Sequence, residues 1–176
     1  MLITLSLGLL ILRLAVGLIV AVHGAQKLFG WFGGPGFSKT TQMMQAYGFK
    51  PAAFWAGLGA LGELGGLSLA LGFLMPLGAA GVFAAMLMAV AKFHWKNGFS
   101  NAHHGFEYPL SLMAVSIALG LLGPGSYSLD ALFGIALPET LLFVVLAVAA
   151  VLVDLIGLLT SRQAAAAPQR DVTSAS

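Results

Sequence analysis

Several long apolar segments, two of which carry a single charged residue near the middle, constrain this sequence more than any other feature. The segment 52–74 has Glu63 at its centre, and the segment 2–22 has Arg13 close to its own. A run of about 18 or more apolar residues is the pattern of a membrane-spanning helix. A charged side chain in the middle of such a helix is costly, which indicates a pairing or functional role.

The composition favours a membrane protein and excludes several other classes. Apolar residues make up 59% of the 176 residues and charged residues only 8%, whereas soluble domains average about 25% charged residues. A net charge of +2 gives no basic patch, so we expect no nucleic-acid partner. Cysteine is absent, which excludes disulfides, thiol redox relays and cysteine-ligated clusters in this chain.

The apolar pattern predicts an all-α, polytopic membrane helical bundle in a single domain that covers residues 1–160. The predicted spans are 2–22, 52–74, 77–95, 107–122 and 139–160. We expect the first span to be retained rather than cleaved as a signal peptide, because Arg13 interrupts it and no basic region precedes it. In the last connection, Ser128 is placed to cap a short helical turn. The polar residues 161–176 are expected to form a disordered cytoplasmic tail.

The basic residues other than Arg13 all fall on one side of this five-span topology. They lie in the first connection, in or just before the third connection, and in the tail: Lys27, Lys39, Lys50, Lys92, Lys96, Arg162 and Arg170. Connections rich in lysine and arginine favour the cytoplasmic side of a membrane. We therefore expect the N-terminus outside and the C-terminus in the cytoplasm.

The two central charges are predicted to meet as a buried Arg13–Glu63 pair, because consecutive antiparallel helices would bring their midpoints to the same depth. Glu63 shares a helix face with Gly59 and Gly66, and such small residues leave room for a close helix contact or for a ligand. The pair could fix the register of the helices, form the charged wall of a ligand cavity, or carry a proton path through Glu63. The sequence does not decide among these three roles.

Polar residues near the predicted cytoplasmic ends of the spans form a candidate mouth for such a cavity. They are His23, Lys27, His104, Glu107 and Tyr108. The histidines have no established metal-ligand spacing with Glu107, so interfacial hydrogen bonds explain them better than a metal site. Asp154, in the last span, is expected to reach the membrane interface. No nucleophile–base pair, phosphate loop or metalloprotease motif is present, so no catalytic residue is identified.

Taken together, these motifs resemble the DoxX family of small bacterial inner-membrane proteins. The residues that carry the resemblance are, in order, Arg13-Leu14, Gly17, His23-Gly24, Lys27-Leu28-Phe29-Gly30, Gly33-Gly34, Gly48, Glu63, Gly65-Gly66, Gly98-Phe99, Glu107-Tyr108-Pro109, Gly123-Pro124-Gly125 and Tyr127-Ser128-Leu129-Asp130. They cover about residues 5–132. The resemblance implies a DoxX-like four-helix core, to which the fifth, C-terminal transmembrane helix is an addition.

The resemblance also implies a place in the bacterial inner membrane and an association with redox chemistry and oxidative stress. Related proteins include a subunit of archaeal thiosulfate:quinone oxidoreductase. We therefore expect an oxidoreductase subunit that binds a quinone or another lipophilic molecule beside Arg13 and Glu63, although the sequence itself fixes no cofactor and shows no catalytic motif.

Two alternative functions remain. The chain could be a non-catalytic membrane anchor or scaffold for soluble redox and stress-defence proteins, or it could transport a small solute. The expected partners are membrane lipid together with other protein subunits or further copies of the same chain.

Overall fold

The fold is built from helices. A computed structural model describes residues 2–166, and this part of the chain contains helices, turns and bends but no strand. The α-helices are α1 Leu2–Phe29, α2 Gly36–Ala46, α3 Ala52–Leu71, α4 Met75–Met88, α5 Glu107–Leu122, α6 Leu129–Leu132 and α7 Glu139–Ala166. Helix α4 continues through a π-helical turn, Ala89–His94, and a 3-10 turn, Trp95–Asn97. The prediction of an all-α helical bundle is confirmed.

Four helical stretches within residues 2–166 are long and apolar enough to cross a membrane. They are Ile3–Phe29, Ala52–Leu71, Met75–Asn97 and Glu139–Ser161. Helix α5 is apolar but has only 16 residues, which gives about 24 Å of helix against a hydrocarbon core of about 30 Å. The chain is therefore a multi-pass membrane protein whose fourth predicted span, 107–122, is a shorter helix.

Helix α5 nevertheless connects the two ends of the bundle. At its beginning, Nδ1 of His94, at the end of α4, lies 2.7 Å from the carbonyl oxygen of His104. At its end, the hydroxyl of Thr140 on α7 donates to the carbonyl oxygen of Leu121 over 3.1 Å. The chain thus passes along the bundle five times.

Helix α1 is longer than the predicted span 2–22. It continues to Phe29 and stops at Gly30, whose φ of 72° is in the left-handed region that favours glycine. The added turns pack against α3 through Gly24, where a Cβ would lie 2.8 Å from the carbonyl oxygen of Ala60. Lys27 is consequently a residue of the bundle and not of a loop.

Helix α3 ends at Leu71, three residues earlier than predicted, because Gly72 takes a left-handed conformation with a φ of 63°. The next helix begins at once, at Met75. Its first N–H groups are capped from a distant part of the chain, since the Asp130 carboxylate accepts from Leu74 (2.9 Å) and Met75 (3.3 Å). This contact holds the α6 region against the turn between α3 and α4.

Glycines set the distances between α1, α3 and α4. A Cβ on Gly17 would lie 2.5 Å from the carbonyl oxygen of Gly66 on α3. On another side of α3, a Cβ on Gly62 would lie 2.8 Å from the carbonyl oxygen of Gly81 on α4. Contacts this short leave no space for a side chain, so the helix backbones approach as closely as they can.

Helix α7 belongs to the common hydrophobic core. The core includes buried side chains of α1, α3, α4, α5 and α7: Leu9, Val16, Val20, Leu69, Met75, Ala79, Ala80, Val82, Met86, Leu112, Leu119 and Phe143. Phe143 of α7 packs on Gly120 of α5, and Trp55 of α3 packs on Gly157 of α7, where a Cβ would lie 2.5 Å from the indole ring. Both ends of α7 are therefore anchored by an aromatic ring against a glycine.

The two remaining local predictions have different outcomes. Ser128 caps α6 as predicted, because its Oγ accepts from the N–H of Ala131 over 3.1 Å. The predicted tail begins too early, because α7 runs to Ala166. Residues 167–176, the rest of the predicted disordered tail, lie outside the described part of the chain.

Candidate ligand-binding cavity

Glu63 forms an ion pair with Lys27. The Glu63 side chain is 4% exposed, and its Oε1 accepts a short hydrogen bond from Nζ of Lys27, which joins α3 to α1. The Lys27 side chain is 29% exposed, so the pair extends from the interior towards the surface. The sequence places Lys27 only at the mouth of the candidate cavity and assigns Glu63 a different partner.

That assignment, the predicted Arg13–Glu63 pair, is wrong. Arg13 is fully buried, and its guanidinium donates to the backbone carbonyl oxygens of Pro124 and Tyr127 in the connection after α5. The same stretch between α5 and α7 contains Asp130, whose carboxylate caps α4. Arg13 therefore holds the connection that also caps α4.

The register of α1 against α3 explains the error. Gly17 packs against Gly66, so Arg13, one turn earlier on α1, lies beside Gly72 just beyond the end of α3. The nine positions from Glu63 to Gly72 correspond to about 14 Å along the helix axis. The two charges are near the middle of their predicted spans, but the helices end elsewhere and the charges lie at different depths.

The two glycines predicted to flank Glu63 have different surroundings. Gly66 lies against the backbone of Gly17 and Ala21 on α1, where a Cβ would collide. A Cβ built on Gly59 meets no atom within 4 Å, and Gly59 lines a cavity. The sequence leaves open whether these small residues allow close helix packing or leave room for a ligand. In the structure, Gly66 allows close packing and Gly59 leaves free space in the cavity.

The cavity has a volume of about 900 Å³ and lies beside Glu63, bordered by residues of α1, α2, α3, α4, α5 and α7. Its wall is mainly apolar and includes Met44, Phe49, Trp55, Met88, Leu112 and Leu146. Its polar residues are His23, Lys27, Tyr47, Glu63, His94, Asn97, His104, Tyr108 and Asp154. Pockets of roughly 300–1,000 Å³ with apolar walls and a few polar groups are typical small-molecule sites.

One oxygen of Glu63 is left without a partner. Its Oε2 is buried and accepts no hydrogen bond from the described residues, whereas Oε1 is occupied by Lys27. An ionised carboxylate carries only acceptors, and a buried acceptor without a donor costs about 1–3 kcal/mol. The wall of the cavity therefore presents a strong acceptor next to an ammonium group.

Three of the predicted mouth residues lie in the cavity wall and are exposed: His23, His104 and Tyr108. The rings of His23 on α1 and Tyr108 on α5 are 6.2 Å apart, so these two helices border the cavity where it reaches the surface. Glu107 is outside the wall, since its carboxylate accepts from the backbone N–H of Asn101 (3.1 Å) in the loop before α5.

Two histidines in the wall, His23 and His94, bond to backbone carbonyls. Nδ1 of His23 lies 2.9 Å from the carbonyl oxygen of Ile19, and Nδ1 of His94 lies 2.7 Å from that of His104. Among residues 2–166, no three His, Asp or Glu side chains are grouped so that they could hold a metal ion.

Asp154 is a second buried acid in the cavity wall, and the expectation that it reaches the interface is wrong. It is 5% exposed, and its Oδ2 is buried and accepts no hydrogen bond from the described residues. Gly157, one turn later, is fixed against Trp55, and this contact turns the Asp154 face of α7 towards the bundle. The sequence singles out Asp154 as an acid within an apolar segment. The direction in which its side chain points depends on the packing of Gly157 against Trp55.

Comparison with models of protein families identifies the family of this chain. A family model described as DoxX matches residues 8–95, half of the chain, and this part contains most of α1, all of α2, α3 and α4, and both members of the Lys27–Glu63 pair. No curated protein and no solved structure matches the chain.

Proposed function

The chain belongs to the DoxX family, and from this premise we propose that it is a membrane subunit of a redox complex that binds a quinone or a similar lipophilic molecule. The observation that carries the proposal is the cavity of about 900 Å³ beside the Lys27–Glu63 pair. A molecule that partitions into lipid finds there an apolar wall together with a small number of polar groups for its head.

The residues of the wall fit the two parts of such a ligand. Phe49, Trp55 and Met88 are buried apolar side chains that suit a ring and an alkyl tail. Lys27 and Tyr108 carry donors for a ring oxygen, and Glu63 carries an acceptor. A bound quinone would supply reversible two-electron chemistry, while these residues would hold and orient its head. Because the chain has no cysteine, its electrons would not come from a thiol or a cysteine-ligated cluster of this chain.

We further propose that the protein lies in the bacterial inner membrane with its N-terminus outside and its C-terminus in the cytoplasm. In support, the lysines lie near the end of the bundle where α1 and α4 end and α3 begins: Lys27, Lys39, Lys50, Lys92 and Lys96. Basic residues favour the cytoplasmic face. The wall residues at the surface, His23 and Tyr108, would then open towards the cytoplasmic side.

Mass spectrometry of small molecules retained by the protein after mild solubilisation tests the proposed ligand. We expect a lipophilic quinone in near-stoichiometric amount with the unsubstituted protein, and much less with Gly59→Leu, which places a side chain in the free space beside Glu63. Gly8→Leu is the matched control, since a Cβ on Gly8 also meets no atom within 4 Å but Gly8 is outside the cavity wall.

Other outcomes would replace the proposal with another function. A protein that retains no small molecule but copurifies with a soluble protein at constant stoichiometry would be an anchor or scaffold. Solute uptake by sealed vesicles that contain the purified protein, again without a retained quinone, would identify a transporter. Equal retention by the Gly59→Leu and unsubstituted proteins would place the ligand elsewhere.

A further inference from the structure

The buried polar atoms of the cavity wall that have no hydrogen-bond partner among the described residues are carboxylate oxygens. Oε2 of Glu63 and Oδ2 of Asp154 are both buried and accept no hydrogen bond from the described residues. The two carboxylates come from different helices. Since Gly157 packs on Trp55, Asp154 lies about 7 Å from Glu63 along the axis of the bundle, at 1.5 Å per residue.

The histidines of the wall add further acceptors. A carbonyl oxygen can only accept, so Nδ1 of His23 donates to Ile19 and, in the neutral ring, Nε2 remains as an acceptor. The same reasoning applies to His94, whose Nδ1 donates to the carbonyl oxygen of His104. A hydroxyl on the ligand can donate to these nitrogens, whereas a ligand that carries only acceptors cannot.

The hydrogen-bond donors of the wall do not favour a ligand that carries only acceptors. These donors, which include the ammonium of Lys27 and the hydroxyls of Tyr47 and Tyr108, can donate to any ring oxygen, whether it is a hydroxyl or a carbonyl. A hydroxyl on the ligand accepts those hydrogen bonds and also donates its own hydrogen to Glu63. A carbonyl oxygen on the ligand accepts them but leaves Oε2 of Glu63 buried and unpaired.

We propose that the cavity prefers the reduced, hydroxyl-bearing form of its aromatic ligand, a quinol, and that Oε2 of Glu63 accepts the hydrogen bond that makes the difference. Oδ2 of Asp154 is a second buried oxygen without a partner among the described residues, displaced along the bundle from Glu63. This inference rests on the proposed function and deepens it by naming the form of the ligand that binds.

Binding of three ligands that share one ring and one decyl tail tests the preference. They are a decyl-substituted quinol, the corresponding quinone, and the dimethyl ether of the quinol, which keeps the ring oxygens but has no O–H to donate. Trp55 lines the cavity, so a protein with Trp31→Phe and Trp95→Phe reports binding through the fluorescence of one remaining tryptophan. We expect the quinol to bind roughly 10- to 100-fold more tightly than the other two, as for one hydrogen bond to a charged group.

Two variants test whether Glu63 causes the preference for the quinol over the quinone. Glu63→Gln keeps the shape but offers an amide, which can donate as well as accept, so the quinol should bind only about as tightly as the quinone. Glu139→Gln is the matched control, because Oε2 of Glu139 is also buried and unpaired among the described residues but lies outside the cavity wall. If Glu63→Gln does not fold, the double variant with Lys27→Met removes the unpaired ammonium.

The possible results separate this inference from the function on which it rests. A quinone or ether that binds as tightly as the quinol would overturn the preference and leave the quinone site standing. No binding of any of the three ligands would overturn the proposed function as well. A preference that survives Glu63→Gln would show that another residue makes the selection and would refute the role of Oε2.

Discussion

Lys27 and Glu63 form an ion pair between α1 and α3, although the sequence assigns one to a connection and the other to the middle of a span. The pair exists because α1 continues to Phe29 and packs closely against α3 through Gly17 and Gly24. One member is nearly buried and the other is partly exposed, so the contact both fixes the two helices and places charge in the cavity wall.

The coupling between these residues should appear in a double-mutant cycle. Lys27→Met or Glu63→Gln alone should lower the free energy of unfolding by about 1–3 kcal/mol, because each leaves a charge without its partner. The double variant should lose less than the sum of the single losses. The free energies are measured by unfolding in detergent, followed by circular dichroism.

Arg13, the predicted partner of Glu63, provides the control for this cycle. Arg13→Met and Glu63→Gln should be additive within about 0.5 kcal/mol, since the two side chains are far apart along the bundle and have no common partner. A coupling larger than this for Arg13, together with none for Lys27, would contradict the observed pairing.

Arg13 should be a strong determinant of stability. Arg13→Met removes two donors from the carbonyl oxygens of Pro124 and Tyr127, which should lower the free energy of unfolding by roughly 2–5 kcal/mol. Hydrogen exchange should rise first in the segment 123–130. Lys39→Met, at an exposed position of α2, is the matched loss of a positive charge and should change neither quantity measurably.

The class of fold could be predicted from the sequence because long apolar segments have few alternatives to helices in a membrane bundle. The ends of the helices are harder to predict from the sequence. Polar residues after position 22 indicate a connection, yet α1 keeps them in the helix and stops only at Gly30. The predicted span 107–122 is the helix α5, but this helix is shorter than a full membrane span.

The sequence indicates some residues of the candidate site but not how they are arranged. Glu63 and His23 stand out as polar residues in or beside apolar segments, and both lie in the cavity wall. The partner of Glu63 depends on the register of α1 and α3, which Gly17 and Gly66 set through a backbone contact. Asp130 caps α4 across the fold, and no local pattern indicates such a distant contact.

The two glycines near Glu63 should respond in opposite ways to alanine. Gly66→Ala places a Cβ against the backbone of Gly17, so the helices must separate and the melting temperature should fall. Gly59→Ala places a Cβ in free space and should leave stability unchanged or raise it by about 0.5–1 kcal/mol through the helix preference of alanine. Thermal unfolding of the two variants side by side distinguishes a packing glycine from a cavity glycine, and equal losses would refute the distinction.

The orientation of the bundle can be read with single cysteines, because the unsubstituted chain has none and gives no background. Leu132 is 73% exposed at the end of the bundle held by Arg13, and Lys39 is exposed at the other end. A membrane-impermeant maleimide should label Leu132→Cys in intact spheroplasts and Lys39→Cys only after lysis, because lysine-rich connections stay in the cytoplasm. The reverse pattern would place the His23 and Tyr108 side of the cavity outside the cell, and its partner subunit would then have to be an extracytoplasmic protein.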